Sequence, residues 1–226
     1  MTTKQISAVI FDLDGTLADT LADIAASGNY VLRNMGLSEE PVDAYRMHVG
    51  DGLRVMGERA LTAAQGSAST AEIDTFERRF REHYDGHHLD TTRPYDGIVS
   101  TLSRLSDAGL ALAVLSNKPH DYTREMVADL FPTLLFAEVW GHREEYPRKP
   151  DPTSACALAQ ELGLRPERCA FVGDTKVDML TATRAGMRAI GVLWGFRARA
   201  ELEEHGADSL CERPEDLIRL LSKQRV

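Results

Sequence analysis

Cysteine is scarce in this chain. Only Cys156, Cys169 and Cys211 occur, an odd number with no Cys-x-x-Cys pair, which argues against both a disulfide framework and a zinc site and in favour of a reducing compartment. Long apolar runs are missing too. None approaches the ~20 residues that a membrane span needs, and the opening "MTTKQIS" lacks an apolar signal region, so a cytoplasmic location is expected. Lysine is absent between Lys4 and Lys118, which removes any ε-amino group of that stretch as a Schiff-base former. Positive charge is in deficit overall: 26 Lys and Arg stand against 35 Asp and Glu, a net charge of −9. Such a field repels nucleic acid and anionic membranes, so neither is expected as a partner, and an anionic substrate requires local positive charge or a metal.

What is present is a chain of 226 residues, 43% hydrophobic, long enough for one sizeable core plus an insertion. Short β-rich runs alternate with helical patterns over the last two thirds. The expected strands are "AVIF" (8–11), "LALAVLS" (110–116), "LFAEVW" (135–140), "CAFVG" (169–173) and "AIGVLW" (189–194). Between them, 97–109, 152–163 and 175–186 read as helices that stop at glycine. This is the pattern of an α/β fold, a doubly wound, Rossmann-like parallel sheet with right-handed crossovers. Residues 18–92 break it with helical patterns alone, such as "TLADIAASGNYVLRNMG" and "TAEIDTFERRFREHYDG". The expectation is a core of 1–17 and 93–226 with an all-helical cap at 18–92, "TTRPYDG" (91–97) being the return linker.

In open parallel sheets the ligand lies beyond the carboxyl ends of the strands. There the sequence places Asp12, Asp14 and Thr16, then Ser116, Asn117 and Lys118, then Asp174, Thr175 and Asp178, with Lys149 in "RKPDP" ahead of a helix that proline would open. Four carboxylates at one sheet edge repel one another unless a hard divalent cation or a raised pKa relieves them, which predicts Mg2+. Asp174 and Asp178, at i and i+4, would share a helix face if the helix began at once. A carboxylate in such a place can attack phosphorus, Lys149 and Ser116 can hold the transferring group, and Asp14 can carry the proton to and from the leaving oxygen.

Some readings fail on spacing. An EF-hand needs glycine at its sixth position and Glu at its twelfth, whereas Gly15 is fourth here and Ala18 seventh. His83, His87 and His88 in "HYDGHH" have no carboxylate or cysteine at ligand spacing and read as a solvated hinge or helix end.

Taken in order, "DLDGTLADT", "SNK", "RKPDP" and "GDTKVDMLTATRAGM" resemble the four motifs of the haloacid dehalogenase superfamily, over almost the whole chain. The resemblance implies Asp12 as nucleophile and Asp14 as acid/base with its carbonyl on Mg2+. It also implies Thr16, Ser116, Asn117 and Lys149 at the phosphoryl group, and Asp12, Asp14, Asp174 and Asp178 around the metal. Dehalogenases of the superfamily lack the second aspartate, here Asp14, and phosphonoacetaldehyde hydrolases need the cap lysine that is missing here. The pattern most resembles phosphoglycolate phosphatases, through "DLDGTLADT", "HVGDGLRVMGERAL" (48–61) and "VLWGFR". In the second of these, amides near Gly50 and Gly52 and the charge of Arg54 or Arg46 would meet a substrate carboxylate. The expected partner is a small phosphorylated metabolite. A pyrophosphatase or nucleotidase, a sugar-phosphate mutase and a non-catalytic regulatory protein remain the alternatives.

Overall fold

The first strand is apolar in all four of its positions, as a strand covered on both faces must be. The structure, a computed structural model, describes residues 5–222; residues 1–4, part of the expected core and of the start read for a signal region, and 223–226 lie outside the described residues. Along the chain come β1 (Ala8–Phe11), β2 (Ala18–Asp19), α1 (Leu21–Asn34), a 3-10 turn at Val42–Ala44, α2 (Tyr45–His48), α3 (Leu53–Gln65), α4 (Thr70–Tyr84) and β3 (Arg93–Pro94). After these follow α5 (Ile98–Asp107), β4 (Ala111–Pro119), α6 (His120–Leu130), β5 (Glu138–His142), α7 (Thr153–Glu161), β6 (Cys169–Gly173), α8 (Lys176–Ala185), β7 (Arg188–Val192), α9 (Arg199–Glu204), β8 (Ser209–Cys211) and α10 (Glu215–Ser222). The chain divides into two compact units, 1–17 with 94–226, and 18–93.

The first unit is the α/β core. Its six strands run in the order β5-β4-β1-β6-β7-β8, every pair parallel. Ala8 and Ile10 point to one face, where they meet Ala113, Leu115, Phe171 and the helix residues Leu158, Met179 and Ala182. Val9 and Phe11 point to the other face by the two-residue period and are equally buried. Because the strand order reverses at β1, the crevice at its carboxyl end lies between the ends of β4 and β6.

Several strands differ from expectation: β4 runs on to Pro119, β7 stops at Val192 before Leu193 and Trp194, and β5 starts late. Residues 135–137 are not strand: Leu135 is 90% exposed, and Phe136 turns its ring edge-on to Phe131, so pairing starts at Glu138. The strand β8 and helices α6, α9 and α10 carry no motif that singled them out. At three residues, β8 is a short sheet edge of the kind that limits unwanted pairing.

The second unit is helical except at its ends, where β2 (Ala18–Asp19) pairs with β3 in a two-stranded sheet, so the stretch expected to be all-helical opens on a short strand. On α4, Ile73, Phe76, Phe80 and Tyr84 fall on one buried stripe with their rings stacked in sequence, and Ser69 and Glu72 close its start as a capping box. Helix α1 is tied to the return segment by Asp23, whose carboxylate accepts hydrogen bonds from the amides of Thr91 at 3.0 Å and Thr92 at 2.8 Å. Burial alone would raise the pKa of Asp23, but the bonds from Thr91 and Thr92 outweigh it and hold it below the usual value. A carboxyl lowered in this way stabilises the fold above its unfolded pKa, and the contribution is lost as the pH falls through the folded value. Asp23→Ala leaves both amides without their acceptor, and a loss of about 2–3 kcal/mol is expected in urea unfolding. Amide exchange at Thr91 and Thr92 should accelerate first.

Candidate active site

Asp12 is the first residue past β1, and its amide prolongs the ladder by donating to the carbonyl of Val172 at 2.9 Å. That places its carboxylate in the central crevice. One oxygen each from Asp12, Asp174 and Asp178 lie within 4.8 Å of one another, all three residues buried. Asp174 ends β6. Its Oδ1 accepts from the Thr16 hydroxyl at 3.1 Å and its Oδ2 from the amide of Phe196 at 2.7 Å.

The helix does not begin at Asp174, as the shared-face reading required. It begins at Lys176, with Thr175 as N-cap and Asp178 as the partner in its capping box. Asp178 therefore meets Asp174 by reaching back. Its Oδ2 accepts from the Thr175 amide and hydroxyl at 3.1 and 2.7 Å, and its Oδ1 from Lys149 Nζ at 2.7 Å.

Lys149 stands in the loop after β5, and the helix after it starts only at Thr153, with Pro152 as its N-cap. Its side chain is 2% exposed, with Nζ 2.9 Å from Asp12 Oδ1 and 5.2 Å above the Phe171 ring. The ammonium thus faces Asp12 Oδ1 and Asp178 Oδ1 together, in two buried ion pairs. Burial acts to lower the Lys149 pKa, yet Asp12 and Asp178 outweigh it and raise it, so the ammonium stays charged.

Two expected phosphate binders have other partners. The Asn117 side chain clasps the backbone of Lys149, donating to its carbonyl at 3.0 Å and accepting from its amide at 2.9 Å, while the Thr16 hydroxyl is held by Asp174. Both position neighbouring groups. Ser116 is buried, and its Oγ accepts from the Lys118 amide at 3.2 Å. The Asp14 carboxylate is not one of the three clustered ones; it pairs instead with Lys118, whose Nζ lies 3.1 and 3.4 Å from its two oxygens. The sequence places Lys118 at this strand end, two residues beyond Ser116, and its pairing with Asp14 is what the structure adds.

Gly15 has φ of +83°, and a Cβ there would also run into the Asp174 carboxylate and, at 2.9 Å, the Phe196 ring. Trp194 Nε1 donates to the Thr16 carbonyl at 3.0 Å, so the loop after β7 closes over the loop after β1.

In sequence and fold the chain is similar to known proteins. The family model of the haloacid dehalogenase-like hydrolases matches residues 9–192. The chain belongs to that family. It is 36% identical over 197 residues to the phosphoglycolate phosphatase of Agrobacterium fabrum, covering 87% of this chain and 84% of that one. It is 32% identical to the phosphoglycolate phosphatase of Aquifex aeolicus, over 96% of this chain and 98% of the relative. The crystal structure of a predicted phosphoglycolate phosphatase from Haemophilus somnus aligns with a TM-score of 0.89 at 28% identity, covering 96% of this chain and 98% of that one.

In the helical unit of this hydrolase the expected anion-binding arginines are engaged locally. Arg54 pairs with Asp74 at 2.6 Å and Glu77 at 2.9 Å, joining α3 to α4, and Arg46 pairs with Asp43 at 2.7 Å. Gly50 and Gly52 do adopt φ of 117° and 92°. The segment around them is braced by Arg59, which binds Asp51 at 2.7 Å and the carbonyls of Met47 and His48 at 3.3 and 3.1 Å. Of the three histidines, His83 stacks between Tyr30 and His87 while His88 is buried, so the solvated reading fits His87 alone.

Three buried carboxylates, with one oxygen of each within 4.8 Å of the others, make an all-oxygen set suited to a hard divalent cation. Burial first, then the charges of Asp178 and Asp14, push the Asp12 pKa up to about 7 against the pull of Lys149; burial, Asp178 and Asp12 raise that of Asp174 well above the carboxylate range. One ammonium does not balance the three carboxylates. A carboxyl whose pKa rises from 3.8 to about 7 on folding contributes stability below pH ~4 that is lost as the pH climbs through about 7. The melting temperature of the metal-free hydrolase is therefore expected to fall from pH 6 to pH 8. Mg2+ should raise it more at pH 8, where Asp12 needs to release no proton. A thermal-shift series at both pH values, with Asp12→Asn as the flattened reference, checks this; an equal Mg2+ response at pH 6 and 8 would contradict it.

Proposed function

We propose that this hydrolase is a phosphatase that cleaves a small phosphomonoester, 2-phosphoglycolate before others, through an aspartyl-phosphate on Asp12. The phosphomonoester class rests on the family and on relatives named as phosphatases. The observation that carries the mechanism is the place of Asp12: the first residue past β1, it holds its buried carboxylate beside those of Asp174 and Asp178 and 2.9 Å from Lys149 Nζ.

In the first step an Asp12 oxygen bonds to phosphorus as the ester P–O bond breaks, and Asp14 gives its proton to the departing alkoxide. Water then bonds to phosphorus and releases Asp12, with Asp14 taking the proton back. Lys149 offsets charge on the transferring oxygens, and the Ser116 hydroxyl donates to one of them. Thr16 and Asn117 act indirectly, by fixing Asp174 and the Lys149 backbone. Asp12, Asp174 and Asp178, with the Asp14 carbonyl, would hold Mg2+, which supplies charge neutralisation to the phosphoryl group when bound. The helical unit is assigned the role of cap that excludes bulk water during turnover.

The test is the initial rate of phosphate release, with and without Mg2+, from 2-phosphoglycolate, pyrophosphate, sugar phosphates and nucleoside monophosphates. The highest kcat/KM is expected for 2-phosphoglycolate. A flat profile would remove that substrate while keeping the chemistry, and no Mg2+-dependent release from any of them would remove the phosphatase reading.

A further inference from the structure

The chain makes its positive charge from arginine: 21 of its 26 cationic residues are Arg and 5 are Lys. Two of those lysines, Lys118 and Lys149, nonetheless stand at the carboxyl edge of the sheet with side chains only 7% and 2% exposed. An ammonium is a compact charge with donors that rotate to whichever acceptor is near, unlike the fixed fork of a guanidinium. Lys149 is engaged by Asp12 and Asp178. Lys118 is engaged by Asp14, nearly equidistant from its two oxygens.

The cations that the sequence suggested for substrate charge, Arg46 and Arg54, are held in ion pairs by Asp43, Asp74 and Glu77. Arg148, the other cation beside the lysine loop, donates to the Asn117 carbonyl at 2.7 Å. Lys118 is thus the cation adjoining the group that handles the leaving oxygen. A proton carrier works within ~2.6–3.2 Å of that oxygen, and with Lys118 Nζ 3.1 Å from Asp14 Oδ1, the ammonium reaches to roughly 5 Å from it. An O–CH2–carboxylate fragment crosses that span.

We propose that Lys118 determines specificity by recognising a negative charge on the alcohol side of the substrate, a carboxylate attached to the carbon that bears the bridging oxygen. This rests on the phosphomonoesterase reading and names the residue behind its preference for an acidic alcohol. On binding, Lys118 shares its donors between Asp14 and the substrate carboxylate. The carboxylate is thereby aligned with the proton carrier, and neutral alcohols gain nothing from the same contact.

The experiment compares 2-phosphoglycolate with ethyl phosphate, which lacks the carboxylate, in the Mg2+-supplied wild type, Lys118→Met and Lys118→Gln. In both variants a loosened Asp14 slows both esters, and the ratio of kcat/KM values is expected to fall by a further ~10- to 100-fold, the worth of a charged hydrogen bond. Calorimetric binding of the same two esters to Asp12→Asn and to Asp12→Asn/Lys118→Met reads the same ratio without turnover, even if a variant is inactive. Loss of the preference in both readouts supports the proposal. Equal losses on the two esters, or a preference that survives in both variants, would overturn it while leaving the phosphoglycolate assignment intact. A wild type indifferent to the carboxylate would overturn both.

Discussion

Asp12→Asn is expected to release phosphate at least ~10^4-fold more slowly than the wild type, because an amide neither attacks phosphorus at a useful rate nor leaves from it. The same substitution should make the metal-free protein more stable at pH 8. Asp12 is buried with Asp178 and Asp14 as negative neighbours, and its charge costs the fold enough to raise its pKa to about 7. A neutral side chain of the same shape removes that cost and leaves Lys149 paired with Asp178 at 2.7 Å. Activity and stability should therefore move in opposite directions. Phosphate release and thermal unfolding measured on one preparation decide it; a variant that keeps a tenth of the wild-type rate would rule out attack by Asp12, and one that unfolds more easily at pH 8 would contradict the charge account.

Lys149→Met should show the reverse coupling, losing activity and stability together. The lysine is the positive charge between Asp12 and Asp178, and breaking a buried ion pair by removing one partner costs about 3–5 kcal/mol. The penalty should grow from pH 6 to pH 8, because Asp12 escapes part of it by taking up a proton at the lower pH. Mg2+ should recover much of the stability, being a cation offered to the same carboxylates. It should recover little of the activity, which is expected to fall on the order of 10^3-fold with the loss of a donor to the transferring oxygens. Urea unfolding at both pH values with and without Mg2+, beside kcat/KM, separates the two roles. Full recovery of activity by Mg2+ would show that Lys149 serves only the fold.

The sequence made the sheet legible where period and composition agreed. The strands β1 and β6 are unbroken apolar runs ended by Asp12 and Asp174, and these bounds matched. At 135–137 the apolar composition misled, since Leu135 faces solvent and Phe136 packs on a loop. The four motifs placed the carboxylates and Lys149, but not what each polar side chain touches. Thr16 donates to a residue 158 positions away and Asn117 clasps one 32 positions away, contacts that local spacing does not encode. Asp174 and Asp178 do converge, through a capping box rather than a shared helix face. Lys118 is placed by the sequence at the strand end with Ser116 and Asn117, but its pairing with Asp14, 104 positions away, is not. Arg54 was singled out for its charge, while Asp74 and Glu77, which neutralise it, belong to a different helix.

The bonds from Trp194 to the Thr16 carbonyl and from Phe196 to Asp174 also set an order of events during synthesis. The loop after β1 leaves the ribosome first, yet its closure waits for residue 196, about 10–40 s later at usual elongation rates. Until Gly173 is added, the nascent chain carries an all-apolar central strand whose two neighbours, β4 and β6, have not both been made. A chain that ends before Gly195 would carry every acidic group of the centre but lack the Phe196 amide that holds Asp174.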